Sequence, residues 1–284
     1  CFMLNAYSFT TEAATVSLKV YNWQDYIDDG TDDNGNIVST PVIDMWIEDY
    51  KERTGITVEV IYDTFETNET MLNTLKTGKS DYDLVCPSDY AIQKMIKDDM
   101  LEKFDITKLP TYNKYGSPYL KGLFEQNNWT EYSVPYMWGT VGLLYDPDVF
   151  SDELVSSWDI MWNKEYENLA TTKDSVRDTY FVGVMHVYQE ELQELRNQYQ
   201  KGTITREYYN QQVNIIMNRT DEETLRLVED DLKIMKENIF GLEVDSGKSD
   251  MVTGKISMNL AWSGDAVYSM DLAEEEDDKI LAYS

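Results

Sequence analysis

The chain has 284 residues, enough for two domains of ordinary size, and its 42% hydrophobic content is that of a globular protein. Its 24 basic and 53 acidic residues give a net charge of −29, which argues against nucleic acid or an anionic membrane as a partner and makes a cation the natural complement, although acidity also serves solubility alone. Two cysteines and one histidine exclude a disulfide framework, a cysteine metal cluster, histidine-based triads and most zinc sites, and no apolar run is long enough to span a membrane.

The chain starts Cys1-Phe2-Met3-Leu4, without an initiator methionine. Two readings are open: Cys1 as the lipid-bearing first residue of a lipoprotein, or residues 1–14 as the end of a secretory signal, which the apolar Phe2-Met3-Leu4 favours. Residues 1–17 are therefore set aside as a signal or tether remnant, and either reading implies export. From Leu18 the sequence alternates as a strand, then breaks at Trp23-Gln24-Asp25-Tyr26. Trp23, Asp25 and Tyr26 thus fall at a strand's carboxyl end, where ligands of open α/β sheets sit, though aromatics there also serve as core or rim.

The polar stretch from Asp28 to Asn36 has turn chemistry and superficially resembles a calcium loop. With Gly35 as the sixth position, the first would be Gly30 and the twelfth Pro41, so both essential carboxylates are missing and a solvated loop is expected. Residues 42–53 have helical spacing and stop at Thr54-Gly55; residues 56–62 read as a strand. Thr67 or Asn68 can cap a helix over 69–77. Asp83 to Cys86 is a short strand running into Pro87-Ser88-Asp89-Tyr90, and residues 91–98 are helical. This β-α-β-α-β-α order predicts a parallel sheet covered by helices, with Ser88, Asp89 and Tyr90 at a second strand end. The helix after Tyr90 aims its dipole at that edge and favours an anion unless Asp25 and Asp89 override it.

Tyr132 to Tyr145 reads as an extended, glycine-punctuated segment. Asp174-Ser175-Val176-Arg177-Asp178 opens a helix whose acids suit its dipole. Residues 187–238 read as two or three exposed helices with no evident chemistry, and His186 as a helix-packing residue. Gly247-Lys248-Ser249 lacks the glycine at 246 that a phosphate loop requires. Residues 255–261 form a strand, and Trp262 with Asp265 repeats the aromatic-plus-carboxylate theme at its end.

These strand ends, taken in order, resemble those of the spermidine/putrescine-binding proteins of bacterial ABC importers. Tyr21-Asn22-Trp23 with Tyr26, Thr54-Gly55-Ile56, Asn68-Glu69, Tyr82-Asp83-Leu84 with Pro87-Ser88 and Tyr90, Pro135-Tyr136 with Trp138-Gly139-Thr140, Ser175-Val176-Arg177-Asp178, and Trp262-Ser263-Gly264 carry the likeness. No single motif is specific; their order is. The resemblance implies an α/β, two-lobed periplasmic-binding-protein-like fold of type II, with parallel-rich sheets flanked by helices, that closes on its ligand by hinge motion. It implies a first lobe over 18–137, incomplete here, and a second over 138–284 carrying a helical insertion at about 187–238 and the start of a return strand. By the family's motif, Trp23 and Tyr26 are aromatic walls, Ser88 and Tyr90 line the first lobe's edge, Asp178 pairs with a ligand amine and Trp262 stacks. A second family carboxylate falls on Ser175, one residue after Asp174. Family members also continue past the equivalent of Ser284, so a truncated chain is expected.

A polyamine needs apolar faces for its methylenes and carboxylates for its ammonium ends, which suits these residue types. The expected role is an exported, non-catalytic, monomeric receptor, without cofactor or metal, that hands a polyamine to a membrane permease. Two rivals stand beside it. One keeps the fold and binds another amine or organic cation, motivated by Ser175; the other is a carboxylate-based hydrolase, which needs two acids at a fixed separation and no histidine.

Overall fold

A computed structural model describes residues 15–24, 26–32, 35–78, 81–277 and 279–284. Asp25, residues 1–14 and most of the candidate tether lie outside the described residues, as do Asp33 and Asn34 of the polar loop. The chain divides into two compact units, Cys1–Met137 and Trp138–Ser284.

In the first unit, β-branched and aromatic residues form β1 (Thr15–Trp23), followed by α1 (Val42–Thr54), β2 (Thr57–Phe65), α2 (Asn68–Lys76), β3 (Leu84–Val85), α3 (Asp89–Lys97), α4 (Pro110–Tyr115) and α5 (Pro118–Gln126). The sheet is parallel in the order β2-β1-β3, with Trp23 in register with Phe65 and Tyr21 with Val85. Gly55 ends α1 in the left-handed conformation, at φ 73°, and its N–H returns to the Lys51 carbonyl at 2.8 Å. Thr67 caps α2 by accepting from the Thr70 N–H at 3.1 Å, which leaves the Asn68 side chain for another use. The core gathers Tyr21, Phe65, Met71, Leu72, Ala91 and Met95. In the polar loop, Asp28 and Asp32 accept from the backbone N–H groups of Gly30 and Asn36, so these carboxylates close turns.

The second unit contains β4 (Val141–Tyr145), β5 (Ala170–Lys173), α6 (Val176–Val187), α7 (Gln189–Gln200), α8 (Arg206–Met217), α9 (Glu222–Asn238), β6 (Gly241–Glu243), α10 (Gly247–Val252), β7 (Met258–Trp262), α11 (Ser263–Asp277) and β8 (Ala282–Tyr283). Its sheet runs β6-β5-β7-β4-β8: β6, β5 and β7 are parallel, while β4 is antiparallel to both β7 and β8. Of the extended stretch expected over 132–145, only β4 is a strand; residues 134–140 have no regular structure. The helical region also departs from expectation. α7 buries nothing fully, but α9 buries Thr224, Val228, Met235 and Asn238, and Met235 joins the main core with Leu143, Phe150 and Leu260. The apolar residues at 228, 232 and 235 form one stripe that the many charges of α9 mask in the sequence. Among the described residues, no helix is long and apolar enough to cross a membrane.

Candidate functional site: two sheet edges of different chemistry

In the first unit the carboxyl ends of all three strands share one edge. The Trp23 ring lies 4.5 Å from Phe65 and 6.2 Å from Tyr26; Tyr26 in turn lies 6.2 Å from Tyr136. The Tyr136 hydroxyl donates to the Tyr26 carbonyl at 2.6 Å, fixing the chain just after the strand. This is a run of four aromatic rings, of which Tyr136 is 55% exposed. Asn22 directs the strand's exit: its amide donates to the Tyr62 hydroxyl at 2.7 Å and accepts from the Trp23 N–H at 2.8 Å.

The starts of α2 and α3 are joined beside these rings. Buried Asn68 donates to Ser88 Oγ and accepts from the Ser88 N–H, both at 3.0 Å. The Tyr90 hydroxyl donates to Glu69 Oε1 at 3.0 Å, and Asp89 accepts from the Tyr90 N–H at 2.7 Å. Trp23, Tyr26, Ser88, Asp89 and Tyr90 are thus placed by neighbouring strand ends and helix starts of one unit. Ser88 sits at the N-cap position of α3 but makes no side-chain cap bond, because its hydroxyl is engaged by Asn68. Burial pushes the Cys86 thiol, just after β3, up to about 11, so it remains protonated.

The second unit's edge is charged. Lys173, the last residue of β5, is only 5% exposed, and its ammonium lies 2.8 Å from Glu243 Oε1 and 3.4 Å from Asp265 Oδ2. Glu243 also accepts from the Gly247 N–H at 2.9 Å and from the Asn259 amide at 3.1 Å, and that amide donates to Thr171 Oγ1 at 2.7 Å. Glycine is required at 247: a Cβ there would lie 2.3 Å from Asn259 Nδ2 and 2.8 Å from the Glu243 carboxyl carbon. Such a buried pair holds only when its remaining bonds are made, as here.

Around that network stand the sequence candidates of this unit. Ser175 is the N-cap of α6, its hydroxyl accepting from the Asp178 N–H at 3.3 Å, so it serves the helix. Asp178 lies in the first turn of α6 and is half-buried, and Asp174 is exposed, with its N–H bonded to the Glu243 carbonyl at 2.7 Å. Trp262 ends β7 and is 39% exposed. The Thr140 N–H donates to Ser263 Oγ at 3.2 Å and the Ser263 N–H to the Thr140 carbonyl at 2.8 Å, seating that turn.

Sequence reasoning missed Asn68 as a partner of Ser88, Glu69 as a partner of Tyr90, and the Lys173–Glu243 pair. The capping reading singled out Asn68, and the family resemblance Asn68-Glu69, for other reasons; nothing local marks Lys173. His186 does more than pack: its ring stacks on Trp162 at 3.8 Å and bonds Asp231 through Nδ1 at 2.9 Å. It lines a groove of about 720 Å³ with Trp158, Met185 and Tyr209, formed by the later part of α6 with α7 and α8 rather than by the sheet edge.

Comparison with known proteins gives a concordant result. A family model described as bacterial extracellular solute-binding protein matches residues 45–282. The spermidine/putrescine-binding periplasmic protein of Salmonella typhimurium is 29% identical over 251 residues, covering 88% of this chain and 59% of the relative. The putrescine-binding periplasmic protein SpuD of Pseudomonas aeruginosa is 35% identical over 153 residues, 52% of this chain and 37% of the relative. The crystal structure of the spermidine/putrescine substrate-binding protein PotD from Streptococcus pneumoniae, in complex with calcium and HEPES, superposes with a TM-score of 0.57 at 26% identity. The match covers 94% of this chain and 67% of that one. The lipoprotein Tp0655 of Treponema pallidum, at a TM-score of 0.66 and 19% identity, shares the fold. The chain thus spans 59% of the length of its Salmonella relative.

Proposed function

The chain belongs to the bacterial extracellular solute-binding proteins, and from that premise we propose that it is a non-catalytic, extracytoplasmic receptor that captures a polyamine for the permease of an ABC importer. Its relatives include spermidine/putrescine- and putrescine-binding periplasmic proteins, which supports the ligand class. The observation that carries the reading is made in each unit by itself: strand ends and helix starts that carry aromatic rings together with hydroxyl or carboxylate groups. The first unit offers the rings of Trp23 and Tyr26, with Ser88 and Tyr90 beside them; the second offers Asp178 together with Trp262.

Aromatic faces cover methylenes and attract ammonium groups, each desolvated contact contributing about 2 kcal/mol. Hydrogen bonds from an ammonium to a carboxylate add about 1.5–3 kcal/mol each. Three or four such contacts suffice for roughly micromolar binding after the cost of association. The ligand enters as a cation, which the net charge of −29 favours at long range.

A second reading keeps the receptor and changes the ligand to another amine or organic cation. Ser175 motivates it, since its hydroxyl is spent on capping α6 where the family motif carries a carboxylate. A thermal-shift panel of spermidine, putrescine, other amines and quaternary organic cations separates the two. Stabilisation by the linear polyamines in preference to the others is expected; stabilisation by none of the amines would overturn the proposal.

A further inference from the structure

The Lys173–Glu243–Asp265 cluster is unusual because its cation is internal. An ammonium buried at the carboxyl end of β5 sits between one buried carboxylate and one that is 36% exposed. Asp265 is in the first turn of α11, three residues past Trp262, at the edge assigned above to a cationic ligand. Glu243 is fully committed inward, to Lys173, to the Gly247 N–H and to Asn259. Asp265 is the member that reaches solvent, and its approach to Lys173, at 3.4 Å, is the looser one. A packing role needs only the Lys173–Glu243 pair; the contact with Asp265 places a positive charge against a carboxylate that an incoming ammonium would otherwise meet alone.

We propose that Lys173 is a specificity-determining residue of the binding edge: an internal ammonium, shared between Glu243 and Asp265, that limits how much additional positive charge this edge accepts. The inference rests on the polyamine reading and concerns which amine is preferred. Glu243 draws Lys173 inward and leaves Asp265 partly available to the ligand; without Glu243, Lys173 would neutralise Asp265. Without Lys173, both carboxylates would lose their internal cation. The effect scales with ligand charge, so it falls more heavily on a trication than on a dication.

Two substitutions that break the same buried pair therefore act in opposite directions. Calorimetric titration of the full-length protein with spermidine and putrescine should show Glu243→Gln weakening spermidine about tenfold and putrescine less, and Lys173→Met strengthening spermidine several-fold. A merely structural pair predicts that both variants lose affinity together, and that result, or no change in either, would overturn the inference. Where a single variant fails to fold by thermal melt, Lys173→Met with Glu243→Gln removes the pair without stranding a buried charge. It should bind spermidine more tightly than the parent; equal or weaker binding would overturn the inference. Absence of amine binding by the unsubstituted protein would instead remove the polyamine reading on which the inference stands.

Discussion

The two sheet edges have the same architecture and different chemistry. Each is made of the carboxyl ends of parallel strands running into helix starts, the arrangement that exposes backbone turns and side chains to a ligand. The first edge is organised by rings and hydrogen bonds without an ion pair in them: Phe65, Trp23, Tyr26 and Tyr136 in succession, with the Asn68–Ser88 clasp at the starts of α2 and α3. The second is organised by charge, with Lys173, Glu243 and Asp265 at the ends of β5 and β6 and the start of α11. A strand end fixes where a site is built, and the residues just beyond it decide what the site reads. The first unit's edge offers apolar ring faces and the second unit's edge carboxylates, the two kinds of group that the proposed ligand class requires.

That contrast can be broken by one substitution on each side. Trp23→Ala should cost about 2 kcal/mol of binding, nearly the same for putrescine and spermidine, because it removes a face rather than a charge. Asp178→Asn should cost about 1.5–3 kcal/mol, more for spermidine, and should flatten the dependence of affinity on salt. Titrations of both variants over a salt series check this; equal salt slopes for the two would abolish the distinction between the edges.

Much of this was legible because it is local. The alternation of β1, the left-handed Gly55 and the glycine-ended helices are each specified within a few residues, and the order of strands and helices implies the parallel sheet of the first unit. Trp23, Tyr26, Ser88, Tyr90 and Trp262 could be placed at strand ends for the same reason. What was hidden depends on distant partners. Lys173 reads as an ordinary polar strand end until Glu243, 70 residues later, and Asp265, 92 residues later, are folded against it. Ser175 matches a motif position, yet its side chain is used by its own helix, and the charges of α9 conceal a core stripe. Asn68 was legible as a cap and turned out to serve Ser88, since Thr67 already filled the capping role.

The smallest expected effect lies away from both edges, in the helical region. Arg219 grips Glu191 with two bonds, at 2.8 and 2.9 Å, and this hydrogen bonding holds the Glu191 carboxyl below its usual range. A depressed folded-state value means stability that is present above the ordinary carboxylate range and lost as pH falls through the folded value. With the Glu191 side chain 47% exposed, solvent screening limits the contribution. Glu191→Gln should lower stability at neutral pH by less than about 1 kcal/mol, and thermal melts of variant and parent should converge as the pH falls below that range, with amine binding at neutral pH the same in variant and parent.

Calorimetric titration of the unsubstituted protein with spermidine and with putrescine decides whether the chain is a polyamine receptor. Saturable binding of one polyamine per chain in roughly the micromolar range, weakening as salt is raised, is expected. Heats that do not differ from dilution for both ligands would contradict it.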